Sequence, residues 1–188
     1  DQGKMLNKMN TFHDFISCTE FLIKKQYTCP DKIAIWGRSA GGLLIGAVIN
    51  MRPDLYKFAI LGVPFVDVIS TMSDKCSPLT TEEYHEFGNP ANKKIYNYMK
   101  KYSPIDNIDS SKNYPNVFIY SNMNDTQVLY IEPYKYYNNI KSASVFESRE
   151  KTLLMKINMN YGHSQSSKRY ESMENLAEIY QLILHFIQ

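Results

Sequence analysis

The chain has 188 residues, 44% hydrophobic and 13% aromatic, which is enough to build one sizeable core. Its 21 basic and 19 acidic residues give a net charge of +2, so there is no basic surplus to favour nucleic acid or an anionic membrane surface. The longest apolar stretch, residues 58–68, is interrupted by glycine, proline and aspartate and is too short to cross a bilayer. We therefore expect a protein that binds neither nucleic acid nor membrane.

The cysteines give information about compartment and metal binding. Cys18, Cys29 and Cys76 are few, odd in number and without the spacing of zinc ligands. This usage favours a reducing compartment and predicts a cytoplasmic protein. No residue spacing in the chain indicates a metal or an organic cofactor, so we expect none.

Helical and strand patterns alternate along the chain. The predicted elements are a helix over residues 11–25, a buried strand over 32–36, a helix over 40–51, a strand over 58–61, a loop over 62–90, a helix over 92–101, a strand over 116–121, a helix over 132–141, a strand over 152–159 and a helix over 169–186. Strands that alternate with helices predict an α/β fold with parallel strands joined by helical crossovers. Ligands in such sheets bind beyond the carboxyl ends of the strands.

The pentapeptide Gly37-Arg38-Ser39-Ala40-Gly41 lies where the first predicted strand meets the second predicted helix. Gly-x-Ser-x-Gly in this setting is the pattern of a nucleophile elbow, a tight turn that exposes a serine hydroxyl. The two glycines are expected to let the strand and the helix approach the turn without a side-chain clash. A glycine-rich turn without catalytic function has the same composition. The pattern makes Ser39 the candidate nucleophile.

Two further residues follow predicted strands and complete a possible triad. Asp125 follows the strand over 116–121, and His163 follows the strand over 152–159. Serine, aspartate and then histidine is the chain order of α/β-hydrolases. In that arrangement His163 takes the proton of Ser39, Asp125 orients the imidazole, and the backbone amide of Ala40 supplies one oxyanion donor.

The other histidines and a second aspartate are weaker candidates. His13 and His185 fall within predicted helices, and His85 falls in the long acidic loop, so none directly follows a strand. Asp106 precedes a strand and has the sequence context of a turn or a cap. Ordinary surface or packing roles account for these residues.

Ordered motifs beyond the elbow run along nearly the whole chain. They are Asp1-Gln2-Gly3-Lys4 with Asn10-Thr11-Phe12, Pro64-Phe65-Val66-Asp67-Val68, Pro78-Leu79-Thr80-Thr81, Glu86-Phe87-Gly88-Asn89-Pro90, Tyr102-Ser103-Pro104-Ile105-Asp106-Asn107, Asp125-Thr126-Gln127-Val128 with Tyr130 and Glu132-Pro133, and Gly162-His163. Through these motifs the chain resembles the C-terminal part of the catalytic domain of the prolyl oligopeptidase family of serine peptidases, in its oligopeptidase B branch.

The resemblance implies a fold, a substrate class and a set of site residues. It implies an α/β-hydrolase domain, capped in the family by an upstream β-propeller in the same chain, that cleaves short peptides after Arg or Lys. By motif position it implies that Ser39, Asp125 and His163 form the triad. It also implies that Glu83 binds the basic side chain before the scissile bond, with His85 and Gln127 as further substrate-binding residues. The charges of the acidic loop residues are also consistent with a solvent-exposed loop face that binds no substrate.

The resemblance also predicts that residues 1–188 form a single hydrolase domain that is incomplete at its N-terminus. Four strands are predicted where the α/β-hydrolase sheet usually has eight, so an apolar sheet edge is expected to be exposed. The chain is then expected to be a fragment of a larger peptidase, or a truncated product, that is weak or inactive alone. The alternatives are a carboxylesterase with the same triad, or a hydrolase-like module without catalysis.

Overall fold

The computed structural model describes residues 2–143, 151–164 and 169–188. Within them a sheet has the strand order β1-β2-β3-β4, and every neighbouring pair is parallel. The strands are β1 Ala34–Arg38, β2 Phe58–Gly62, β3 Asn116–Asn122 and β4 Leu153–Asn158. The α-helices are α1 Met9–Lys24, α2 Ala40–Met51, α3 Val68–Ser73, α4 Lys93–Met99, α5 Ile131–Ser142 and α6 Arg169–Ile187. Short 3-10 helices cover Met5–Asn7, Pro30–Lys32, Pro53–Leu55, Glu82–His85 and Pro104–Asn107.

The two central strands are buried along their whole length, while the outer strands are partly exposed. Every residue of β2 and β3 is buried, as expected for parallel strands covered on both faces. The sequence predicts a buried strand at residues 32–36, and this is wrong in two respects. Lys32 belongs to a 3-10 helix, so the strand begins at Ala34, and its edge position leaves Trp36 38% exposed.

Helices cover the sheet on both faces. On one face α1, α2 and α5 pack against alternate strand residues and form the larger core, which contains Phe12, Leu43, Leu61, Ile119 and Tyr136. On the other face α6 packs through Ile179 against Phe58, Ile60, Phe118 and Tyr120. The helical crossovers between parallel strands confirm the predicted α/β architecture.

The region predicted as a loop over residues 62–90 contains regular structure. Helix α3 begins after Asp67, whose side chain accepts a hydrogen bond from the backbone N–H of Ser70. Farther along, Glu82–His85 form a 3-10 helix. Both helices are shorter than two full turns, so their apolar residues do not repeat often enough to produce a helical pattern in the sequence.

The turn between β1 and α2 has the geometry of a nucleophile elbow. Ser39 has φ 53° and ψ −119°, outside the regions that residues with a side chain normally adopt. At Gly37, an added Cβ would lie 2.2 Å from the carbonyl oxygen of Gly41. At Gly42, an added Cβ would lie 2.4 Å from the Pro64 Cβ. Gly37 thus has the role expected from the motif.

The steric role expected of Gly41 belongs instead to its neighbour. An added Cβ on Gly41 meets nothing within 4 Å among the described residues. The helix turns this position away from the sheet and directs Gly42 towards Pro64. Close packing of α2 therefore depends on the residue just after the pentapeptide.

Alanine substitutions at Gly41 and Gly42 test this assignment. We expect Gly42→Ala to lower the free energy of unfolding by about 1–3 kcal/mol, because the new methyl group overlaps Pro64. Gly41→Ala is the matched control and should leave stability unchanged or slightly higher, since alanine favours the helix. Equilibrium urea unfolding measures both. Equal destabilisation by the two variants would contradict the assignment.

Candidate active site

Asp125 and His163 form a hydrogen-bonded pair beyond the carboxyl ends of β3 and β4. His163 Nδ1 lies 2.9 Å from Asp125 Oδ2 and 3.1 Å from Oδ1. The Asp125 side chain is completely buried and also accepts hydrogen bonds from the backbone N–H groups of Gln127 and Val128, each at 2.9 Å. Four contacts therefore fix the Asp125 carboxylate. The carboxylate in turn accepts a hydrogen bond from His163 Nδ1, so Nδ1 carries the proton and Nε2 can accept one.

Ser39 lies at the same edge of the sheet, at the end of β1. Its backbone N–H donates to the Gly62 carbonyl at 2.9 Å, and its carbonyl accepts from the Phe65 N–H at 3.1 Å. Ala40 is the first residue of α2, so its N–H has no acceptor within the helix. Ser39 and Ala40 line a cavity of about 370 Å³. The hydroxyl and an available N–H donor thus open onto one concave space.

The loop after β4 is tied to the rest of the site by contacts that the sequence did not reveal. The Asn122 side-chain amide donates to the Gly162 carbonyl at 2.6 Å, and Asn124 donates through its amide to Met159 O and through its backbone to Tyr161 O. The guanidinium of Arg38 donates from Nη2 to the His163 carbonyl at 2.9 Å. Asn122, Asn124 and Arg38 could have been identified by their positions in the sequence, because they lie at the end of β3, directly after it or within the elbow.

Ser39 Oγ and His163 Nε2 are not hydrogen-bonded to each other in the described part of the chain. Contacts of this type commonly tighten only in the complex with substrate. The Arg38 contact nevertheless brings the backbone of His163 to the residue that precedes Ser39. The three proposed triad residues therefore converge on one edge of the sheet, whereas His13 lies in α1, His185 in α6 and Asp106 in the 3-10 helix Pro104–Asn107.

The cavity beside Ser39 has charged walls. Its titratable lining residues are Lys8, Glu83, His85 and Glu86, and Gln127 lies on the same lining. Lys8 is 8% exposed, pairs with Glu86 Oε1 at 2.5 Å and lies 4.8 Å from the Phe87 ring centroid. His85 Nδ1 contacts the carbonyl of Glu82. The Lys8 ammonium therefore neutralises one of the two carboxylates that line the cavity.

Glu83 is the other carboxylate of this cavity and differs from Glu86 in its contacts. Among residues 2–143, 151–164 and 169–188, no cation pairs with the Glu83 side chain and no donor hydrogen-bonds to it. It is half-buried in the wall that contains Phe65 and Leu79. The cavity thus presents one uncompensated negative charge against a partly apolar surface, a composition suited to a cationic side chain with an aliphatic stem.

A buried carboxylate supports one wall of the cavity from behind. Glu132 is 5% exposed and accepts hydrogen bonds from Val66 N–H at 2.5 Å, Asp67 N–H at 2.8 Å and the Thr71 hydroxyl at 2.7 Å. Thr71 lines the cavity, and its carbonyl accepts from the Thr80 hydroxyl. Burial raises the pKa of Glu132 to about 7, while the three donors act in the opposite direction.

Comparison with known proteins agrees with this geometry. The sequence profile of the prolyl oligopeptidase family matches residues 1–188. The chain belongs to the prolyl oligopeptidase family. It is 46% identical over 184 residues to Protease 2 of Moraxella lacunata, and 44% identical over 184 residues to dipeptidyl aminopeptidase BI of Pseudoxanthomonas mexicana. Each alignment covers 98% of this chain.

A solved member of this family has the same fold. Oligopeptidase B from Leishmania major superposes with a TM-score of 0.92 at 43% identity, over 98% of this chain and 25% of that one. The predicted resemblance to the oligopeptidase B branch and the α/β-hydrolase fold are both confirmed. The chain spans about a quarter of the length of these relatives, 26% for Protease 2.

The pH dependence of stability tests the environment of Glu132. The pKa of Glu132 is about 7 in the folded protein and has an ordinary value of 4.5. Between pH 4.5 and pH 7 the folded state therefore binds more protons than the unfolded state. Its contribution to the free energy of unfolding therefore falls as the pH rises from 4.5 through 7. We expect Glu132→Gln to remove this slope in urea titrations at several pH values, while Glu82→Gln, an exposed control, retains it. The same slope in Glu132→Gln as in the wild type would refute the assignment.

Proposed function

We propose that the protein is a serine endopeptidase that cleaves short peptides after Arg or Lys through an acyl-enzyme on Ser39. One observation carries the proposal. A buried carboxylate orients an imidazole, through contacts of 2.9 and 3.1 Å, at the sheet edge where a serine stands on a strained elbow. This arrangement has the parts that acyl transfer requires, namely a nucleophile, a base and a group that orients the base.

The proposed reaction has two steps. Ser39 Oγ attacks the carbonyl carbon of the scissile bond and passes its proton to His163 Nε2, and the protonated imidazole then donates that proton to the leaving amine. A water molecule next loses a proton to His163 and attacks the acyl-enzyme. The imidazolium then returns that proton to Ser39 Oγ as the acyl–oxygen bond breaks, which releases the acid product and restores the Ser39 hydroxyl. Asp125 keeps the tautomer correct and stabilises the imidazolium. The Ala40 N–H donates to the oxyanion in both steps.

The preference for Arg or Lys rests on the charges of the cavity. Glu83 is the lining carboxylate without a cation partner among the described residues, whereas Glu86 is paired with Lys8. A guanidinium or ammonium group that enters the cavity would supply the missing partner, and the partly buried setting strengthens such a pair. We propose that His85 and Gln127, which line the same cavity, contact the substrate beside this pair.

The products of cleavage distinguish an endopeptidase from a dipeptidyl aminopeptidase. One relative is named a dipeptidyl aminopeptidase, which describes the removal of dipeptides from an N-terminus. Mass spectrometry of a peptide with a single internal Arg, offered with a free and with a blocked N-terminus, separates the two activities. Cleavage after the internal Arg in both forms supports the endopeptidase.

The predictions about location and partners stay predictions. None of the helices formed by the described residues is long and apolar enough to cross a membrane. We retain the cytoplasmic location as a proposal, together with the upstream β-propeller that the resemblance implies.

Reaction with a fluorophosphonate probe tests the triad. We expect the wild-type protein to be labelled, Ser39→Ala to abolish the labelling, and Asp125→Asn to lower kcat by about 10⁴-fold, because an amide holds the imidazole in the wrong tautomer. Ser70→Ala, a change at a serine whose hydroxyl has no part in the proposed site, is the control and should be labelled like the wild type. Persistent labelling of Ser39→Ala would remove Ser39 from the mechanism.

Glu83→Gln tests the substrate preference. We expect kcat/KM for a peptide amide with Arg before the scissile bond to fall about 10- to 100-fold, since a hydrogen bond to a charged group is lost. Cleavage of a matched peptide with citrulline at that position should hardly change. Glu82→Gln is the matched control, because that carboxylate is exposed and outside the cavity lining. Equal losses on both substrates would contradict the role, and cleavage of esters without amides would favour the carboxylesterase alternative.

A further inference from the structure

Arg38 connects the strand that bears the nucleophile to the loop that bears the histidine. It is the last residue of β1, directly before Ser39, and its Nη2 donates to the His163 carbonyl at 2.9 Å. β1 and β4 are the first and last strands in the order of the described sheet. Among residues 2–143, 151–164 and 169–188, this hydrogen bond is the direct tie between the loop after β4 and the strand that precedes Ser39.

The histidine loop is also tied to β3 with the loop that follows it, and to α6, where the Tyr161 hydroxyl donates to Glu171 Oε2 at 3.0 Å. Asn122 and Asn124 hold the backbone of residues 159–162, and Asp125 holds the imidazole of His163. These contacts fix His163 relative to β3. Among the contacts of the described residues, the hydrogen bond from Arg38 is the direct tie of this loop to β1, whose last residue precedes Ser39.

The sheet provides a path for the Arg38 side chain. Arg38, Gly62 and Tyr120 occupy one row across β1, β2 and β3, on the face covered by α6. An added Cβ on Gly62 would lie 2.2 Å from the Tyr120 hydroxyl. Glycine at this position therefore allows the Tyr120 ring to lie over β2. The Tyr120 hydroxyl accepts a hydrogen bond from Trp36 Nε1 at 3.2 Å. Arg38 thus lies against a fixed aromatic surface.

The charge on Arg38 is not used in an ion pair within the described residues. Its Nε is buried and has no hydrogen-bond partner there, and no described carboxylate lies within salt-bridge distance of the guanidinium. Burial raises the pKa of the neighbouring Tyr120 hydroxyl, and the positive charge of Arg38 opposes that rise. An unsatisfied buried donor is unfavourable. The guanidinium nevertheless interacts with the Tyr120 hydroxyl, and its Nη2 donates to the His163 carbonyl.

We propose that Arg38 is a positioning residue for the catalytic histidine. Asp125 fixes the orientation of the imidazole ring, and Arg38 fixes the backbone from which that ring projects beside the elbow that bears Ser39. This role rests on the proposed function. Loss of the contact should lower kcat by about 10- to 100-fold, because a displacement of about 1 Å in a reacting group has an effect of that size. KM should stay unchanged, since Arg38 does not line the substrate cavity.

The test compares Arg38→Met, Arg38→Lys and Arg38→Ala in the native full-length protein. Arg52→Ala and Arg52→Met are the matched controls, because Arg52 pairs on the surface with Glu20 and Asp54 and does not line the cavity. We expect kcat for an Arg peptide amide to fall in the Arg38 variants alone. Added guanidinium ion should restore part of the kcat of Arg38→Ala. It should not raise the kcat of Arg52→Ala. Hydrogen–deuterium exchange should rise in residues 159–164 without global unfolding.

The outcomes separate this role from the proposed function. If the wild type is labelled at Ser39 while the Arg38 variants retain full kcat, the positioning role is wrong and the proposed function stands. If the Arg38 variants lose activity only in proportion to global unfolding, with no rescue by guanidinium, Arg38 is structural and the proposal is likewise overturned. If the wild type shows no labelling that depends on Ser39, the proposed function fails and the role of Arg38 fails with it.

Discussion

Ser39 has a left-handed backbone, with φ 53° and ψ −119°, a conformation of the type that costs about 1–3 kcal/mol in a residue with a side chain. It persists because both backbone groups of Ser39 are bound across the sheet, the N–H by Gly62 and the carbonyl by Phe65. Those bonds form only if α2 lies close to the strands, which Gly37 and Gly42 allow. The position of the hydroxyl, the direction of the Ala40 N–H and the mouth of the cavity all depend on this one turn.

The parallel order of the strands then determines where the other groups can lie. Because all the described strands run in the same direction, their carboxyl ends meet at one edge, and the loops after β1, β3 and β4 can exchange hydrogen bonds. The backbone carbonyls of the loop after β4 face neighbouring elements. They accept hydrogen bonds from the side chains of Asn122, Asn124 and Arg38. The polar groups of this edge hold one another in place, which is what a rigid site needs.

The sequence was a good guide wherever a local pattern determines the structure. Helix α2 was predicted with its observed limits, and the other α-helices and strands outside residues 62–90 within about two residues, because apolar periodicity and turn residues are local signals. The short 3-10 helices were not predicted. The strand-end rule also selected Asp125 and His163, which the structure brings together. It could not reveal the pairing of Lys8 with Glu86 or the path of Arg38, since both join segments far apart in the chain. The short helix α3 was not predicted for the opposite reason, because it is too short for an apolar helical pattern to repeat within it.

The ion pair between Lys8 and Glu86 joins residues that are 78 positions apart. Closing so long a loop is entropically unfavourable until β1, α2 and β2 are already in place between the two ends. The contacts of the active site span longer separations still, since Arg38 meets the His163 carbonyl 125 positions along the chain. The cavity wall and the triad are therefore both late products of folding. A folding chain acquires neither selectivity nor chemistry until β4 has joined the sheet and brought the loop of His163 to the elbow.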